Sequence, residues 1–251
     1  QAFVVSAYGW LVAALCLGPL WPLLAGGGGL GAADLAALRF TIWQAALSAA
    51  LSCALAVPLA RALARRAFPG RAALVALLGA PFLLPTIVAV MGLLALLGRG
   101  GALNDALAAL GLPRLSVYGL HGVVLAHVFL NLPLAARLLL QGWAAIPAER
   151  FRLAASLGVP VWRLLEAPML RATLPGAFAA IFALSLTSFA VALILGGGPA
   201  ATTLELAIYQ AVRFEADFAS AASLAVLQYA LSGGAALAAW RLARAPLTGP
   251  G

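Results

Sequence analysis

The sequence predicts an all-α integral membrane protein, and three observations predict it. Of the 251 residues, 65% are hydrophobic and only 9% are charged, with a mean hydropathy of +1.07. A soluble domain is nearer half apolar and a quarter charged. Six stretches are apolar over about 20 residues, the length that crosses a bilayer as a helix. None reads as the short alternating strands of a membrane barrel.

The six spans run from about Ala2 to Ala25, Phe40 to Ala64, Ala72 to Leu97, Gly119 to Gln141, Leu174 to Leu195 and Phe218 to Ala243. Pro81 and Pro85 bend the third, and Pro133 the fourth, because proline removes a helical hydrogen bond. Thr202 to Phe214 mixes apolar and polar residues and reads as a short helix near the outer surface. The glycine runs Gly26–Gly29 and Gly196–Gly198 read as turns just outside the membrane. Neither leads into a lysine, so neither is a phosphate cradle.

Orientation follows the positive charge. All fifteen basic residues are arginine. Eleven of the fifteen fall at the end of span two or just after it, at the end of span four or between spans four and five, or at the end of span six. The other face holds Arg39, Arg99, Arg114 and Arg213, diluted by Asp34, Asp105, Glu205, Glu215 and Asp217. Both ends of the segment are therefore expected in the cytoplasm. The lack of lysine excludes a G-x-x-x-x-G-K-[ST] ATPase loop and lysine Schiff-base chemistry.

Polar groups at membrane depth are costly and face a protein interior or a pathway. Gln44, Ser48 and Ser52 are spaced by four and share a helix face, which suits hydrogen bonding between helices. His127 and Asn131 share a face by the same spacing. No Asp or Glu lies mid-span, which argues against a proton- or sodium-coupled carrier. His121 and His127 point to different faces and make no metal pair. Cys16 and Cys53 sit in separate spans as small buried apolar residues. A serine hydrolase built on His127 with Ser185 or Ser188 has no nucleophile motif to support it. No cofactor or metal is expected, and no catalytic residue.

The hydrophilic insert from Ala144 to Pro175 carries Glu149, Arg150, Arg152, Arg163, Glu166 and Arg171. A long, basic, helix-prone insert of this kind is built to meet a cytoplasmic partner. It resembles the coupling loop of type I ABC importer permeases. Ala154, Ala155, Gly158 and Pro168 stand at the family's Ala, Ala, Gly and Pro, while Leu153 replaces its Glu and Ala167 its Leu. The resemblance implies two short helices broken at Gly158, within about 144–172, that dock on a separate cytoplasmic ATPase dimer. Glu149, Arg150 and Arg152 would contribute to that contact.

Ser188 to Ala222, Arg65 to Leu74 and Val117 to Gln141 are similar to the same regions of the family's thiamine importers. That second resemblance implies one permease domain over 1–251, the amino-terminal half of a longer chain, working with a second permease half. It implies uptake of thiamine or its phosphate esters from a periplasmic substrate-binding protein across the bacterial inner membrane. Spans three to five would line the pathway, with His127, Asn131, Ser185, Ser188 and Phe189 as candidates. Phe129, Phe178, Phe182 and Phe189 could offer ring faces to the thiamine cation. Iron(III), sulfate or molybdate import is the alternative, and an integral-membrane enzyme the distant one.

Overall fold

The computed structural model describes residues 29–243, apart from 83, 197, 199 and 200. The expected span Ala2–Ala25, with Cys16, lies outside the described residues, as do Gly26 to Gly28 and Arg244. The helices are α1 (Ala32–Arg65), α2 (Arg71–Leu77), α3 (Thr86–Leu97), α4 (Ala102–Ala109), α5 (Leu120–Ala144), α6 (Ala148–Ser156), α7 (Ala167–Leu186), α8 (Phe189–Leu195), α9 (Leu204–Gln210) and α10 (Phe218–Ala243). Wide π-type turns, Trp162–Glu166 and Ala211–Glu215, lead into α7 and extend α9. Among the described residues, five helical stretches are long and apolar enough to cross a membrane: Ala32–Arg65, Thr86–Ala109, Leu120–Ala144, Trp162–Leu186 and Phe218–Leu242.

Helix α1 starts eight residues before the expected Phe40. Asp34 makes this possible, because its Oδ2 accepts the Gly31 N–H at 2.8 Å and so satisfies a free donor at the helix start. The helix ends at Arg65, where Arg66 turns extended and Gly70 follows with a left-handed φ of 85°.

Two expected spans are interrupted. The third is divided into α2, a 3-10 turn at Ala80–Phe82, and α3. Pro85 has no N–H to give, and proline pushes its predecessor out of the helical region. The fifth stretch begins earlier than Leu174 and breaks at Thr187–Ser188 before α8. Hence the second half of the insert is not a separate short helix. It runs from Trp162 straight into α7, and the wide turn stands just before Pro168, whose missing N–H removes a helical hydrogen bond at that point.

The bundle centre is α1, α5 and α7. Ala45, Ala49, Ala56 and Ala60 of α1 and Ala135 and Ala136 of α5 are all wholly buried. Small residues on facing helices let backbones approach, which is how helices pack where lipid removes the hydrophobic drive. Leu63, Leu139 and Ile181 fill the spaces between them. Helix α10 lies against α7, and α9 is tied to α1 by the Leu204 N–H donating to Thr41 Oγ1 at 2.9 Å.

Gly122 has a specific steric role near the start of α5. A Cβ there would lie 1.6 Å from the Val117 carbonyl oxygen, a backbone atom that cannot swing away. Gly122→Ala is expected to destabilise by at least the ~1–3 kcal/mol of ordinary overpacking. Gly92→Ala, where a Cβ meets nothing within 4 Å, should be neutral or gain up to about 1 kcal/mol of helix propensity. Thermal unfolding of the two variants in detergent checks the contrast; equal melting temperatures would sink it.

Candidate functional site: an ionic node and a polar seam

The insert is anchored by a carboxylate. Glu166 is wholly buried, in the wide turn before α7. Its Oε2 accepts from Arg61 Nε at 2.7 Å, and its Oε1 lies 3.4 Å from Arg65 Nε. Trp143 Nε1, at the end of α5, approaches Oε1 at a long 3.5 Å. The two arginines lie one turn apart on α1, so a single face of that helix grips the turn. Each is also spread over a ring: Arg61 Cζ is 5.3 Å from the Trp162 centroid and Arg65 Cζ is 4.5 Å from that of Phe151. Phe151 belongs to α6, so the node joins α1, α5, α6 and α7.

Helix α6 presents the expected insert residues. Glu149 and Arg152 are exposed and paired at 2.9 Å, a contact of little energetic weight in water. Arg150, Ala155 and Pro168 are exposed, whereas Ala154 is buried and fixes which face packs inward. Gly158 closes the turn after α6 with a left-handed φ of 65° and open space where a Cβ would sit. That conformation suits glycine and, next best, asparagine.

The membrane-depth candidates form a seam between α1, α5 and α7. Ser48 Oγ lies 3.3 Å from His127 Nδ1, Asn131 Nδ2 donates to Ser185 Oγ at 3.1 Å, and Gln44 Nε2 donates to the Ser185 carbonyl at 2.9 Å. Gln44, Ser48, Ser52 and Ser185 are wholly buried, and His127 and Asn131 nearly so. The geometry pairs His127 with Ser48 rather than with Ser185 or Ser188. Three polar atoms of the seam, Gln44 Oε1, Ser52 Oγ and His127 Nε2, have no hydrogen-bond partner. Ser188 is half-buried at the helix break, where its Oγ donates to the Ser185 carbonyl at 3.3 Å. Phe189 starts α8, with its ring 5.3 Å from that of Tyr209.

Sequence reasoning missed Glu166 as a site residue. A carboxylate in a basic, amphipathic insert reads as solvated, and its partner Arg61 is 105 residues away. The available signal was Arg61 and Arg65 at i, i+4 on an apolar helix, facing one of only seven acidic residues in the chain.

No family model matches the chain. The thiamine transport system permease protein ThiP of Escherichia coli K12 is 51% identical over 212 residues, covering 83% of this chain and 40% of that protein. The chain is a homologue of the ThiP permeases. ThiP of Brucella abortus strain 2308 is 43% identical over 242 residues, covering 92% of the chain and 44% of its own length. This chain thus spans less than half of the curated ThiP relatives that it matches. A sulfate transport system permease, CysW of Synechocystis, is 27% identical over 76% of this chain and 72% of its own.

Among solved structures, a chain of a bacterial ABC transporter involved in import of the acidic polysaccharide alginate superposes with a TM-score of 0.78 at 14% identity. The match covers 98% of this chain and 95% of that one. A bacterial alginate ABC transporter in complex with an alginate pentasaccharide-bound periplasmic protein gives 0.76 at 15% identity. The fold is therefore the all-α fold of type I ABC importer permeases, and the ThiP sequences are transport permeases rather than enzymes.

Proposed function

We propose that the chain is the permease half of an inner-membrane, multi-pass ABC importer that passes thiamine or its phosphate esters inward from a periplasmic binding protein. The observation that carries this reading is the 51% identity to the Escherichia coli thiamine permease over most of the chain. ATP hydrolysis belongs to a separate ATPase dimer, since no lysine is available for a phosphate loop. A second permease half completes the pathway, and the segment crosses the membrane six times with both ends inside. The weaker likeness to a sulfate permease makes sulfate the second substrate to test.

In this reading the segment from Ala148 to Pro168 is the coupling element. Helix α6 and the Gly158 turn seat on the ATPase, with Glu149, Arg150, Arg152, Ala154 and Ala155 on that element. Motion of α6 reaches Arg65 through Phe151, and from there Glu166 passes it to α7. A junction that ties α1, α5, α6 and α7 through one carboxylate and two ring-covered arginines transmits a rigid-body shift because its parts cannot slide independently. His127, Asn131, Ser185, Ser188 and Phe189 lie along the α5 and α7–α8 side that would bound the pathway.

Labelled thiamine uptake, by cells carrying the full-length permease with its ATPase and binding protein, tests this. Gly158→Trp is expected to abolish uptake with the protein still in the membrane. Gly158→Asn, which tolerates the left-handed backbone, should keep most of it. Space around Gly158 is open, but its left-handed φ strains other residues. Gly158→Ala, which carries that strain without the bulk, is therefore the control: loss in the Trp variant alone reports a blocked partner surface. An assembled complex that takes up sulfate or iron(III) but no thiamine would overturn the substrate assignment.

A further inference from the structure

We propose that Glu205, Phe189, Tyr209 and Phe214 form a docking site for the cationic aromatic ring of the transported molecule, at the end of the bundle opposite the Glu166 node. This rests on the thiamine reading and deepens it, since thiamine carries a permanently positive thiazolium ring.

The four residues form one cluster. Tyr209 lies 5.3 Å from Phe189, tilted by 57°, and 5.9 Å from Phe214, nearly perpendicular at 89°. Glu205 precedes Tyr209 by one turn on α9, which puts both on one helix face. The Phe189 backbone N–H lies near the Glu205 carboxylate and favours its charged form. Glu205 Oε2 is buried without a hydrogen-bond partner. Burial holds this carboxyl above the ordinary glutamate range, and the Phe189 N–H partly offsets the rise. Phe214 is 73% exposed and Tyr209 37% exposed. A packed core does not leave its rings open in this way.

The chemistry fits a flat cation. Ring faces attract a cation by about 0.5–2 kcal/mol each, more as water is excluded. An unpaired carboxylate oxygen in a half-buried site is costly until a positive partner reaches it. Tilted and perpendicular rings leave faces free that a stacked pair would cover. Phe178 and Phe182, by contrast, are parallel at 7°.

The place fits as well. Phe189 opens α8 directly after the Thr187–Ser188 break, and interrupted helices are where transporters commonly expose binding groups. Helix α9 is tied to α1 at Thr41, and Arg61 is 20 residues further along the same helix, roughly 30 Å at 1.5 Å per residue. The cluster therefore faces the side opposite the arginine-rich end, the side from which a periplasmic donor delivers substrate.

The test uses the full-length permease with its ATPase and binding protein, reconstituted in vesicles. Thiamine uptake is measured for the wild type, E205Q and Y209L, and thiamine binding to the permease–ATPase complex without the binding protein is read by quenching of protein fluorescence. Glutamine keeps an acceptor for the Phe189 N–H and removes only the charge. Binding is expected to weaken roughly tenfold in E205Q and in Y209L, and uptake to fall with it. Wild-type binding should also weaken as pH falls and Glu205 takes up a proton, and this dependence should vanish in E205Q.

If the wild type imports thiamine and both variants bind and import it equally well, the docking site is wrong and the thiamine reading stands. If the wild type imports none, the thiamine reading fails, and N-methylthiazolium binding to the same complexes decides the site. Loss of that binding in E205Q upholds a cation site, and equal binding overturns it. Should E205Q fail to assemble, Y209L alone carries the same decision.

Discussion

Replacing Arg61 and Arg65 together, as R61M/R65M, is expected to cost more stability than neutralising their shared partner as E166Q, and both are expected to uncouple transport. The asymmetry follows from burial. The arginine side chains are 49% and 40% exposed, while Glu166 is 0% exposed. Removing the carboxylate frees two guanidinium groups that can turn to water, and glutamine still accepts one hydrogen bond. Removing the arginines strands a buried carboxylate with only the long contact from Trp143. Breaking a buried pair in that direction costs ~3–5 kcal/mol, whereas the glutamine variant should lose about 1–2 kcal/mol. Detergent melting temperatures measure the difference, and uptake relative to ATPase activity measures the uncoupling. An E166Q protein that melts earlier than R61M/R65M would mean that the arginines, not the glutamate, bear the burial penalty.

The node also explains why a single buried acid is tolerated here. It sits where α1 emerges from the apolar core at Leu63 and where Trp162 and Phe151 cover the arginines from the sides. Two cations and one anion leave a net positive charge at the arginine-rich end. Arg61 and Arg65 are among the arginines from which the cytoplasmic orientation is expected. The grip holds α6 to the bundle through rings rather than through its own exposed ion pair, which water screens.

What the sequence made legible was periodic. Gln44, Ser48 and Ser52 at intervals of four declared a polar stripe, and that stripe meets His127 and the Ser185 carbonyl in the structure. His127 and Asn131 declared a second stripe by the same spacing. The apolar lengths announced the long helices, and the prolines announced the interruption before Thr86. What was not legible depends on contacts distant in sequence or on local turns without a breaker. Nothing in Leu184 to Ala190 contains Gly or Pro, so the interruption at Thr187–Ser188 had no local signal. The helical start at Ala32 was hidden because Asp34 and Arg39 read as loop polarity, whereas Asp34 is a cap. Glu205 was counted only as a charge on the outer face. Its place beside the Phe189 N–H comes from the fold that brings α9 back against α8.

The interruption itself needs support, and two glutamines supply it. A helix leaves its last carbonyls without intrahelical partners, and in an apolar surrounding each costs more than it would at a wet surface. Gln44 of α1 donates to the Ser185 carbonyl at 2.9 Å, and Gln228 of α10 donates to that of Leu186 at 3.0 Å. Because the partner is a carbonyl in each case, the amide must present its nitrogen, and Oε1 is left unpartnered in both. Ser188 and Thr187 add hydroxyl bonds to the Ser185 and Leu184 carbonyls at 3.3 Å, so four side chains hold the broken end.

Q228L is expected to destabilise by ~1–3 kcal/mol, the cost of orphaning a buried acceptor, and Q44L by less, because Ser188 Oγ still donates to the Ser185 carbonyl. They cap neighbouring carbonyls, so the double variant should depart from the sum of the single effects. A further consequence reaches function. If the break positions Phe189 for its role, Q44L/Q228L should lose uptake at temperatures where the folded protein persists, because α8 is then free to re-form its hydrogen bonds with α7. Melting curves for the four combinations, with uptake measured well below the lowest transition, check both parts. Two single variants that melt and transport as the wild type does would mean that the backbone turn alone holds the interruption and that the glutamines only pack beside it.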